Sequence, residues 1–452
     1  MLWLYAWIAQ GSAMEIPHET LQLDNGLNVI LIEDHKLPQV VVNTWYGVGS
    51  YDDPEGASGF AHLFEHLMFM GTTVIPNSEF DIRMEVAGGW NNASTADDRT
   101  NYYDVGGANI VDLLLFMEAD RMVNLDITQE KLNLQREVVR NERRQNYEDA
   151  PYGSIWLEMP EMMYPASHPY SLEGIGSHED LLAATLDTVG NFYDTWYQPA
   201  NASLCIAGDF DAEQVKALIQ SYYGQIEAKE AIEHVQIELP TVPQIKEKTI
   251  YDNVPLPAML MMWHSPVVFK DGDAEADVLS SVLTGRADAL LTKRLVYDES
   301  LVQSVEAFQY SRGRGSVFIV YVDALADTDL KQVEDIVTST LNDLASGETV
   351  VKAETLSAIL NNWEMDFLWG LEDIQEKAEA VQRYHHYLGQ TDYVQQDLAR
   401  YQSVTPEKIQ SLVGQYFTTD KMSKLIVLPE DQKEPESTKD SESTPSNEGD
   451  AQ

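Results

Sequence analysis

Two stretches of this chain begin alike and continue alike. "LPQVVVNTWYGV" (37–48) and "LPAMLMMWHSPV" (256–267) each place an apolar run directly after a Leu-Pro pair. A helical pattern follows each, "AHLFEHLMFM" in the first half and "ADVLSSVLTG" in the second. A short apolar run bounded by turn residues reads as a strand buried on both faces. A strand–helix order met twice implies a duplicated domain. The length of 452 residues agrees, because a single core stops growing well short of that. The expectation is an α+β protein of two similar domains, each an antiparallel sheet with helices packed on it.

Local signals divide the chain further. "LQLDNGLNVILIEDHKLPQVVVNTWY" reads as strand, turn, strand, loop, strand, with Asn25-Gly26 as a two-residue hairpin turn in which both φ angles are positive. A helix follows Gly59 and ends at Gly71-Thr72. "GGWNNASTADDRTNYYDV" reads as strands, and 108–122 as a helix. Thr128 caps a helix to about Gln145, with Leu132, Leu134, Val138 and Val139 as its packing residues. "NASLCIAGDF" is a buried strand, after which Asp211 caps a helix. Regular patterning weakens around Pro240 and Pro243. The expected units are therefore 17–230, a linker at 231–247, and 248–428. The segment 429–452 lacks aromatic and β-branched apolar residues and is expected to be disordered.

Charge and composition exclude some functions. Asp and Glu number 74 against 29 Lys and Arg, a formal net charge of −45. Such a chain repels phosphate backbones, so nucleic acid is not an expected partner, whereas basic peptides are attracted. Solubility in a salty environment accounts for the same charge. Cys205 is the one cysteine, which rules out an internal disulfide and a Cys-based zinc site. No stretch reaches the eighteen or so apolar residues of a membrane span. The short, apolar, uncharged start "MLWLYAWIAQGSA" is similar to the back part of a secretory signal. It points to a periplasmic or secreted protein, with a first strand or a tail in a cytoplasmic one as the other reading of 1–16.

The chemistry concentrates in "SGFAHLFEHLMFMGT" (58–72). His62 and His66 are four residues apart, so on a helix they project from one face. Imidazoles at that spacing can hold one Zn²⁺. Glu65 borders the same face. Zn²⁺ brings the pKa of a coordinated water to about 7, and a carboxylate beside it can take the proton. The competing reading is an amphipathic helix with polar residues on its rim. The full H-x-x-E-H pattern inside packing flanks favours the metal. A catalytic zinc has three protein ligands and one open position. Spacing within "QREVVRNERRQ" and just beyond it does not choose among Glu137, Glu142 and Glu148 as the third.

Taken together, "HLFEHLMFMGT", "GGWNNAST…TNYY" and "QREVVRNERRQ" resemble the inverted-zincin peptidases of the pitrilysin and insulinase family, M16. The likeness spans about 17–428 and is strongest over 25–155. It is greatest to bacterial zinc-bearing subunits similar to the β type of the mitochondrial processing peptidase. The resemblance implies His62, His66 and Glu142 as ligands of one Zn²⁺ per chain and Glu65 as general base. It also implies that Asn92 and Ala93, on a sheet edge, contact the main chain of a peptide substrate. Two departures matter. Relatives often carry a glutamate where this chain has Gln135, and an amide can orient a ligand without supplying charge. Full enzymes carry an Arg and a Tyr in the second half, where this chain places Val296 and Gln303; Arg294 and Tyr297 are out of register. The resemblance therefore implies the active subunit of a heterodimer with a homologous Arg/Tyr-bearing partner, or otherwise a homodimer. A non-catalytic binding subunit on the same fold is the other function class.

Overall fold

The computed structural model describes residues 14–230, 232, 234 and 237–433. The first half supplies β1 (Glu19–Gln22), β2 (Asn28–Glu33), β3 (Gln39–Tyr46), β4 (Trp90–Thr95), β5 (Thr100–Gly107) and β6 (Ala202–Gly208). They form a six-stranded sheet in the order β1-β2-β6-β3-β5-β4. The second half supplies β7 (Glu247–Asp252), β8 (Ala258–Ser265), β9 (Val302–Tyr310), β10 (Ser316–Ala324) and β11 (Ser423–Pro429). These form a five-stranded sheet in the order β7-β11-β8-β10-β9. Pairing is antiparallel except β2 with β6 and β7 with β11. In both halves the parallel partner is the strand that returns after a helical excursion, the long crossover that parallel pairing needs. The protein is thus α+β with two sheets, each carrying packed helices.

Each sheet buries both faces, and each half of the chain covers one face of the other half's sheet. On one face of the first sheet, Val29, Leu31, Val40 and Val42 pack with Leu63, Phe64 and Leu114 of the first half. On the other, Ile30, Ile32, Cys205 and Ala207 meet Ala378, Val381 and Tyr384 from the helix Ile374–Leu388. Gln382 fixes that contact, its amide donating to the carbonyls of Asn43 and Ser203 at 2.9 Å. The exchange is reciprocal. Leu260, Met262 and Ile319 of the second sheet pack on Ile155, Met159 and Met163 of the helix Ser154–Met163. This double covering explains why β3, β6 and β8 read as continuous apolar runs.

Several local expectations need correction. In the turn after β1, Gly26 takes a positive φ (+91°) and Asn25 does not. The loop spans Leu23 to Leu27, and the Asn25 amide is buried, donating to the carbonyls of Tyr223 (2.8 Å) and Ile226 (3.1 Å). The helix after Gly59 stops at Leu67, a turn before Gly71-Thr72. Thr128 does cap Gln129–Arg143, accepting from Lys131 N, but only two of the four expected packing residues face inward. Leu132 and Val139 are fully buried, whereas Leu134 and Val138 are 53% and 38% exposed. The inner stripe runs 132, 135, 139, 142, so two of its four places are polar, Gln135 and Glu142. At the C-terminal end, Pro429 pairs with Asp252 rather than opening a tail, and 430–432 form a short turn. At the N-terminal end, Ile16 is buried and Met14 N donates to Gln395 (2.8 Å). The readings of 1–13 and 434–452 lie outside the described residues. Among the described residues no helix is long and apolar enough to cross a membrane.

A buried charge cluster inside the first domain carries a testable consequence. Asp104, Glu118 and Arg121 are at most 1% exposed, and Arg121 pairs with Glu118 and lies 3.9 Å from Asp104. Burial, and then the Glu118 carboxylate, push the Asp104 carboxyl well above its ordinary range. A carboxyl whose folded pKa is raised withdraws stability as pH climbs above its unfolded value. Asp104→Asn should therefore melt above wild type at pH 8, with the gap closing toward pH 4. Thermal unfolding at the two pH values checks this, and a lower Tm at pH 8 would contradict it.

Candidate metal centre

The helix Phe60–Leu67 is pinned at its start by Asp53, whose carboxylate accepts from the amides of Gly59 (2.7 Å) and Ala61 (2.8 Å). Phe60, Leu63, Phe64 and Leu67 are its buried face. That leaves His62 and His66 side by side on the rim, ring centroids 4.9 Å apart and nearly perpendicular. The helix Gln129–Arg143 packs across it and brings in Glu142. Glu142 Oε2 lies 3.8 Å from His62 Nε2 and 3.4 Å from His66 Nε2. One potential ligand atom from each of the three residues lies within 4.8 Å of the others. Glu137 and Glu148 are occupied elsewhere, Glu137 on Arg140 (2.6 Å) and Glu148 on Arg143 (2.8 Å) and His178 (3.1 Å).

Electrostatics suit a cation between these groups. Burial, with the neighbouring His66, lowers His62 to about 4, so it is neutral and its lone pair is available. Burial also opposes charge on His66, but the Glu142 carboxylate outweighs it and the net shift is upward. The His66 hydrogen bond holds Glu142 below the ordinary carboxylate range. Two imidazoles and a carboxylate with one side open are the donor set of a catalytic zinc, so the residues fit that ion. Gln135, on the same stripe as Glu142, lies beside His66, and its amide reaches Met70 Sδ (2.7 Å).

Glu65 points to the same rim. Burial raises its carboxyl, against the pull of a hydrogen bond from Thr95 Oγ1 to Oε2 (2.5 Å). Thr95 ends β4, the edge strand of the first sheet. Asn92 on that strand is exposed and its Oδ1 accepts from Ala93 N (2.9 Å), while Ala93 packs against the core. A cavity of about 120 Å³ opens beside His62 and Glu142 and is also lined by Thr95, Tyr147, Glu173 and Tyr310. Sequence reasoning missed these last four. Thr95 stood inside the quoted strand and alternation could have placed it. Tyr310 comes from the second half, which no local pattern reveals. Val296 packs against the second half's own core and Gln303 is exposed on β9, so neither lines the cavity. Arg294 bonds Ser339 (3.3 Å), and Tyr297 is 61% exposed.

The family model described as insulinase (peptidase family M16) matches residues 28–161, and that described as peptidase M16 inactive domain matches 183–362. A Helicobacter pylori zinc protease, PqqE, is 27% identical over 91% of this chain and 93% of its own length. A solved protease structure from Helicobacter pylori superposes with a TM-score of 0.85 at 24% identity, covering 92% of this chain and all of that one. The periplasmic protease PqqL from Escherichia coli gives 0.73 at 18% identity, with 92% of this chain covering 48% of that one. The two family models together cover more than two thirds of the sequence, and the chain belongs to peptidase family M16, the insulinase family.

Proposed function

We propose that this chain is a zinc-dependent endopeptidase acting on peptides or unfolded protein segments, and the active subunit of a two-subunit enzyme. The observation that carries the reading is the convergence of His62, His66 and Glu142 with Glu65 at their edge. Relatives named zinc proteases support it. His62, His66 and Glu142 would hold a zinc ion, which would supply Lewis acidity toward a carbonyl or a water. Glu65, its Oε2 fixed by Thr95 and its Oε1 left to accept, is placed to hold a proton as general base. The outer edge of β4 offers main-chain donors and acceptors to an extended peptide around Asn92 and Ala93. Backbone pairing of this kind suits a broad substrate range. The name of the Escherichia coli structural neighbour supports a periplasmic location.

The second reading, a non-catalytic binding subunit on the same fold, draws on the match of residues 183–362 to the peptidase M16 inactive domain. Against it stands the complete set of ligand and base side chains. The deciding measurement is metal removal. Purified protein should carry about one zinc per chain. A chelator should strip both the zinc and the hydrolysis of an unstructured fluorogenic peptide, and added Zn²⁺ should restore both. Protein that binds no zinc after reconstitution would overturn the assignment.

A further inference from the structure

The turn between β4 and β5 is gripped by the half of the chain that has no metal ligands. Asp97 accepts from Arg312 Nη1 (3.1 Å) and from the Tyr310 hydroxyl (3.0 Å). Asp98 accepts from the amide of Gly313 (2.9 Å), from Arg314 Nη1 (2.9 Å) and from the Tyr170 hydroxyl (2.5 Å). Arg312 is itself 6% exposed, donates to Gly315 O and the Tyr164 hydroxyl, and lies over the rings of Tyr164, Tyr170 and Tyr310. From the other side the 49–51 segment closes on the same turn, Ser50 N and Tyr51 N donating to the carbonyls of Ala96 (3.2 Å) and Asp97 (2.9 Å). A side chain at Gly49 would put its Cβ 2.3 Å from Ala96 O. Asp97 is two residues from Thr95, whose hydroxyl holds Glu65.

From this geometry we infer that Thr95 is a positioning residue for Glu65 and that the Arg312–Tyr310 grip on Asp97 holds Thr95 in place. A carboxylate on a helix rim can rotate among several orientations. A donor on Oε2 removes that freedom and leaves Oε1 directed outward. Misplacing a reacting group by an ångström is enough to cost a large factor in rate. The second half thereby acts on the reaction through Thr95, and the grip works within one chain whatever the partner. The inference rests on Glu65 acting as the base, as proposed above.

Two measurements test it. In hydrolysis assays Thr95→Val should lower kcat about ten- to hundredfold, the range of one hydrogen bond to a charged group, with KM within about twofold. Thr95→Ser should recover most of the loss. In hydrogen exchange on the full chain, Tyr310→Phe and Arg312→Lys should each speed exchange across 92–101 several-fold. Wild-type kcat in Thr95→Val, a Thr95→Ser variant no better than valine, or unchanged exchange in both grip variants would overturn the inference. Glu65→Gln separates the two ideas. If it is as active as wild type, the reading of Glu65 as base has failed. If it is inactive while Thr95→Val keeps the wild-type kcat, only the positioning role has failed. The exchange arm decides on the grip even where hydrolysis is too slow to measure.

Discussion

Replacing Glu65 by glutamine is expected to remove peptide hydrolysis and leave the metal in place. The amide keeps the size of the side chain and can still bond Thr95, but it cannot accept a proton. General-base catalysis contributes about 10²–10⁴-fold, so the residual rate should fall in that range below wild type. His66→Ala and Glu142→Ala should behave differently. Each removes one corner of a site whose potential ligand atoms lie within 4.8 Å of one another, so zinc content and hydrolysis should be lost together. The comparison needs paired measurements, elemental analysis beside initial rates. Glu65→Gln cleaving at the wild-type rate would refute the mechanism, and Glu142→Ala retaining tightly bound zinc would point to another third ligand.

The other large effect concerns a partner. Donors near a developing oxyanion contribute about 3 kcal/mol, and placement of the scissile carbonyl contributes more. Val296 packs against the second half's core and Gln303 faces solvent. Neither can supply an arginine or a phenol to the site. The isolated chain should therefore be a weak peptidase, and adding a homologous chain that carries an Arg and a Tyr at those places should raise the rate at least about a hundredfold, the size of one restored donor. Replacing the partner's Arg and Tyr should abolish the gain. Full activity from this chain alone, as monomer or homodimer, would end the two-subunit proposal. It would turn attention to Tyr147 and Tyr310, the phenols that line the cavity within this chain.

The parts of this arrangement that were legible in the sequence were the local ones. Spacing put His62, Glu65 and His66 on one helical face. Thr128 and Asp211 announced helix starts, and their side chains do accept the capping bonds. Continuous apolar runs announced strands covered on both faces. What stayed hidden depended on distant contacts. In Gln129–Arg143 the inner stripe carries Gln135 and Glu142, so periodicity alone assigns apolar Leu134 and Val138 to the core although they face outward. Asn25 resembled a turn residue because its buried hydrogen bonds go to residues about 200 positions away. The grip of Arg312 on Asp97 joins two loops whose sequences give no hint of each other.

The reciprocal covering of the two sheets has a consequence for how the protein is made. All six strands of the first sheet have been synthesised once Gly208 is added, but the helix that shields its second face ends only at Leu388. At 5–20 residues per second the ribosome takes on the order of 10–40 s to cross that interval. Throughout it, Ile30, Ile32, Cys205 and Ala207 lack the cover of Ala378, Val381 and Tyr384. Such a nascent chain should be prone to aggregation until the second half is made, and a translational stall there should yield an insoluble fragment. For the same reason the halves expressed as separate genes should be recovered only when they are made together.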